Sequence, residues 1–120
     1  MTRQLSFSKY EQAILPGFRE RINQAESTED VKKFFGQTTD ELMKNAFQGS
    51  LATAWNDITL DEKAEGGFAV SGRLLASEEF TSVWNSSDLP NVVSRFAKTA
   101  MNHYKHLLKH PEKTNAKIRM

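Results

Sequence analysis

The chain has 120 residues, 38% of them hydrophobic and 26% charged, with a formal net charge of +1. A chain of this length is expected to fold as one domain over residues 1–120 and to bury about two-thirds of the surface its unfolded form exposes. It contains no cysteine, which rules out a disulfide framework, a thiolate nucleophile and a zinc–thiolate site. Its eight Phe and two Trp argue against global disorder. No stretch reaches the roughly 18 apolar residues of a membrane span, and Met1–Pro16 lacks the apolar run of a signal peptide. A cytoplasmic protein without membrane contact is the expectation.

The first helix is read from Ser8, with Glu11 three residues on as a capping box. Tyr10, Ile14, Phe18 and Ile22 then recur every four residues and so share a helical face. Pro16-Gly17 predicts a kink or restart within it, because proline removes one helical hydrogen bond. Ser27 begins the next helix, with Glu29 and Asp30 where the helix dipole favours acids. Gly36 reads as a stop and Thr38 with Glu41 as a second capping box. Residues 27–49 are thus expected as two short helices, or as one helix broken at Gly36 and closed at Gly49.

The period then becomes alternating. Ile58 and Leu60, then Phe68, Val70, Gly72 and Leu74, flank the Glu65-Gly66-Gly67 turn and predict an antiparallel hairpin with one buried face. Gly72 is expected at a bulge or a close backbone approach. Residues 50–56 and 77–85 fit more than one state: Ser77 could cap a short helix ending near Trp84, or Phe80–Trp84 could add a third strand. Asp57, Asp61, Glu62 and Glu65 read as a solvated strand face, without the acid spacing of a calcium loop. Phe34, Phe35 and Trp84 read as core, or as interface anchors if exposed.

The last helix is the plainest. Asp88 can cap it, Pro90 suits its first turn, and Leu89, Val93, Phe96, Ala97, Ala100, Tyr104 and Leu107 form one stripe up to Pro111. Residues 111–120 are expected as a flexible basic tail. The fold class is therefore α+β: short N-terminal helices, a small antiparallel hairpin or three-stranded sheet, and a long amphipathic C-terminal helix packed on it.

Charge is strongly segregated along this plan. Residues 91–120 hold seven Lys/Arg and one acid, whereas residues 26–90 hold twelve Asp/Glu and five Lys/Arg. On the last helix, Lys98, Lys105 and Lys109 lie opposite the apolar stripe with Arg95 close by, and His103, His106 and His110 follow one flank of it. These seven residues are the candidate partner-binding set. The first expectation is a non-enzymatic interaction or structural protein that self-associates, as a homodimer, through its charge-segregated surfaces. An acidic protein is the next kind of partner, and nucleic acid bound by the lysine ridge and the tail is the alternative function. A histidine-dependent metal protein or enzyme is the second alternative, because His106 and His110 have the i, i+4 spacing that can chelate one ion. No acid in the helix completes such a site, so no metal, cofactor or catalytic residue is assigned. No nucleophile–base pair is evident, and the chain is not read as an enzyme.

Overall fold

The computed structural model describes residues 6–109; His110 and the expected tail at 111–120 lie outside the described residues. The architecture is α+β. Helix α1 spans Ser8–Gln24, α2 Thr28–Ala46, α3 Gly72–Leu75, α4 Glu78–Ser86 and α5 Leu89–Lys109, with strands β1 at Ile58–Leu60 and β2 at Phe68–Val70 between α2 and α3. The strands form a two-stranded antiparallel hairpin, with Ile58 opposite Val70, Thr59 opposite Ala69 and Leu60 opposite Phe68. Its tight connection is a 3-10 turn in which Gly66 and Gly67 adopt φ of +82° and +85°, values that L side chains resist.

Helices α1 and α2 pack on each other across a short connection at Ala25-Glu26 and the Ser27 cap, whose hydroxyl accepts from the Asp30 N–H. Helix α5 packs on both and on the hairpin turn. The core joins Ile14, Phe18 and Ile22 of α1, Val31, Phe35 and Leu42 of α2, Ile58 and Leu60 of β1, Phe80 of α4, and Val92, Val93, Phe96 and Ala100 of α5. Phe18 meets Phe96 edge to face at 5.1 Å, and a run of rings from Phe47 through Phe80 and Trp84 to Phe68 fastens α4 to the hairpin. Trp84 and Phe35 thus belong to the packing of the core, and Phe34 lies half-buried against it.

Four local expectations are corrected. Helix α1 does not restart at Pro16 but continues through it to Gln24. Its start is not a capping box: Ser8 lies inside the helix, and the Phe7 N–H donates instead to Asp88 Oδ1 at 2.8 Å, with the Ser6 hydroxyl on Oδ2 at 3.0 Å. Asp88 therefore ties the start of α1 to the start of α5, while the Ser87 hydroxyl accepts from the Leu89 N–H. Helix α2 is a single element that passes through Gly36, and Thr38 and Thr39 are buried within it, the Thr39 hydroxyl donating to the Gly36 carbonyl at 3.0 Å. Gly49, with φ of +80°, follows its end as expected. The second strand stops at Val70. Gly72 opens the short helix α3 capped by Ser71, and Ser77 caps α4, so 77–85 is helical rather than a third strand.

Candidate functional site

Helix α5 presents two polar edges, as its spacing predicts. Lys98, Lys105 and Lys109 are exposed. Among the described residues none of the three has an ion-pair partner. Lys98 and Lys105 border a depression of about 440 Å³ between α5 and the Ala64–Gly67 turn, lined also by Ser94, Asn102 and Glu62.

Arg95 stands apart from this ridge. Its guanidinium makes a two-pronged contact with Glu11, Nε and Nη2 each 2.7 Å from a carboxylate oxygen, so it joins α5 to α1. The Glu11 carboxylate holds the Arg95 pKa above its ordinary value. Because the guanidinium is half open to water, a double-mutant cycle of Glu11→Gln and Arg95→Gln in urea denaturation is expected to give a coupling of about 0.5–1 kcal/mol.

The histidines flank the other edge. His103 is half-buried and His106 exposed, their ring centroids 6.2 Å apart, beside a depression of about 370 Å³ shared with Arg19 and Asn23 of α1. His110, the other half of the i, i+4 pair, lies outside the described residues. Among the described residues no group of three or more His, Asp or Glu side chains is gathered to hold a metal ion, and no helix is long and apolar enough to cross a membrane.

The structure also brings forward a segment that periodicity could not place. Residues 50–57 form an irregular loop across α2, tied at its start by the Ser50 hydroxyl to Glu79 and held at three further points. Thr53 donates to Asp40 Oδ1 at 2.7 Å. Asp57, only 6% exposed, accepts from the Ala54 N–H at 2.7 Å and the Ser71 hydroxyl at 2.8 Å, and pairs with Arg73, which also donates to the Ala52 carbonyl. Burial pushes the Asp57 carboxyl upward, but these donors and the Arg73 charge together hold it below its ordinary value. The Ser71 hydroxyl is used twice, donating to Asp57 and accepting from the Leu74 N–H. Asp57 is thus no solvated strand residue but the clasp joining the loop to the start of α3.

The third point is Gly36, where a Cβ would lie 2.4 Å from the Trp55 carbonyl oxygen. The loop backbone rests directly on α2, and the Trp55 side chain is left 56% exposed. A depression of about 530 Å³ opens beside it, bordered by Glu29, Lys33 and Gln37 of α2 and Thr59 and Leu60 of β1. Next to it, Lys32 Nζ lies 5.6 Å from the centroid of the Tyr104 ring, and a smaller depression along Lys32, Lys63 and Met101 continues toward Lys105. The tryptophan surface and the lysine ridge therefore lie along one track. The one hint in the sequence was a tryptophan, flanked by Ala54 and Asn56, that belongs to no apolar period.

Comparison with known proteins finds no family model, curated protein or solved structure that matches this chain.

Proposed function

We propose that this is a non-enzymatic interaction protein that self-associates, its segregated charge orienting one copy on another. The observation that carries this reading is that the basic ridge makes no ion pair with the described residues of its own chain. Helix α5 packs beside the acidic segment, yet Lys98, Lys105 and Lys109 face outward unpaired. Opposed patches of this kind steer and orient encounter more than they deepen affinity. Asp57, the one ionisable side chain buried among the described residues, is fully engaged in structural hydrogen bonds, which suits binding rather than acid–base chemistry.

Sedimentation equilibrium at low and moderate salt tests the reading. An oligomer is expected that tightens as salt falls, and the triple variant K98E/K105E/K109E should associate more weakly and lose most of that salt dependence. A strict monomer at high protein concentration in low salt refutes self-association. A cytoplasmic location belongs to the same reading, and fractionation of cells expressing the tagged chain checks it.

Exposure of the ridge also favours a second reading, in which its partner is an acidic protein or nucleic acid. Phe96 is buried in the core and Tyr104 sits beneath Lys32, so the ridge itself offers lysines without an open aromatic ring for base stacking. Anisotropy with a labelled oligonucleotide at low salt decides the nucleic-acid form, since phosphate contacts are strongest there.

A further inference from the structure

Trp55 is the most exposed of the large hydrophobic residues described, at 56%, ahead of Leu75 and Leu108. Its exposure is not that of a loose loop. Thr53 is bound to Asp40, the Asp57 clasp holds the next turn, and the Trp55 carbonyl is seated on Gly36. An anchor residue ordered before any encounter leaves less conformational entropy to be lost on binding, and tryptophan is enriched among residues that dominate interfaces.

The charges around it narrow the partner. Glu29 and Lys33 lie one turn apart on α2, both exposed and both bordering the depression beside Trp55. They stand at i and i+4 yet form no ion pair with each other or, among the described residues, with any other group. The border is mixed in charge, Glu29 and Asp30 standing beside Lys32 and Lys33, and is not the uniformly basic surface a polyanion such as nucleic acid requires. A surface with an acid and a base in line beside an apolar centre is complementary to itself turned by two-fold rotation, which sets each Glu29 against Lys33 of the other copy.

We infer that two copies of this chain associate through the Trp55 surface, with their α2 helices antiparallel across a two-fold axis. This rests on the self-association reading and names its surface: the axis passes between Glu29 and Lys33, each Trp55 packs beside it, and the α5 lysines lie toward the rim of the same track, where charge acts on encounter rate.

Sedimentation velocity across a concentration series tests it with W55A, E29K, K33E and the exchange variant E29K/K33E. Trp55→Ala is expected to weaken the dimer about tenfold or more. Each single charge variant should weaken it, because two like charges then meet twice across the axis, and the exchange variant should return it to within about threefold of the parent. All four changes are on exposed side chains, and urea denaturation of each confirms that it folds. A parent dimer that neither W55A nor K33E weakens overturns this surface while leaving self-association standing. Single variants that weaken without rescue by the exchange overturn the two-fold arrangement. A parent that stays monomeric removes both readings.

Discussion

Asp57→Ala is expected to lower the free energy of unfolding by about 3 kcal/mol, because it leaves several donors around a buried carboxylate position without their acceptor. The Ala54 N–H, the Ser71 hydroxyl and the Arg73 guanidinium all converge on this one carboxylate. Arg73→Ala should cost less, about 1 kcal/mol, since Arg73 is half exposed and Asp57 retains its other two donors. The pH dependence follows from the direction of the shift. The folded state holds Asp57 below the ordinary carboxylate value of 3.8, so its contribution is fully present above that value and is lost as pH falls through the folded pKa. Urea titrations of the parent and Asp57→Ala should therefore differ by a constant amount near neutrality, and the gap should narrow as pH falls below about 4. A gap that stays constant into strong acid would mean that the carboxylate charge contributes nothing to the clasp.

The same clasp shows where local pattern stops being informative. Helix α5 was legible because its stripe repeats through five turns and Pro90 marks its start; the structure adds Val92 and Met101 to its buried face. The start of α2 was legible from Ser27 and the acids after it, and the hairpin from its alternating pairs around two glycines. Each of these signals lies within a few residues of the bond it reports. Glu11 looked like half of a capping box because Ser8 stood three residues before it. Its carboxylate is instead taken by Arg95, and the Phe7 N–H by Asp88, both from the far end of the chain. Asp57 looked like one acid among four on a strand, and only the arrival of Ser71 and Arg73 makes it a buried anchor. The lysine ridge was readable as a face of α5, whereas the Trp55 surface exists only where the loop meets α2. The two glycine misreadings have the same origin. Gly72 could sit in a bulge or open a helix, and the adjacent Ser71 hydroxyl, bonded to the Leu74 N–H, decides for the helix.

Gly36 is the sharper case, and it carries the second large effect. Gly36→Ala should destabilise the protein by about 2 kcal/mol even though alanine is the better helix former by about 1 kcal/mol. The added Cβ would sit 2.4 Å from the Trp55 carbonyl oxygen and 3.3 Å from its indole ring. The nearest atom is backbone, so no rotamer change relieves the contact; the loop must lift off α2 or the helix must bend. Lifting the loop strains the Thr53–Asp40 bond and the Asp57 clasp together, because all three fasten the same eight residues. Gly17→Ala supplies the control. It is also a helical glycine, but nothing lies within 4 Å of its Cβ position, and the same change there should stabilise by about 0.5–1 kcal/mol. Urea denaturation of the two variants should move the midpoint in opposite directions, and equal movement would remove the close approach as the reason for glycine at 36. The effect also reaches the proposed interface: a loop displaced from α2 carries Trp55 with it, so Gly36→Ala should weaken association while leaving Trp55, Glu29 and Lys33 chemically intact. Loss of association in Gly36→Ala, set beside its retention in Gly17→Ala, would separate the placement of the tryptophan from its mere presence.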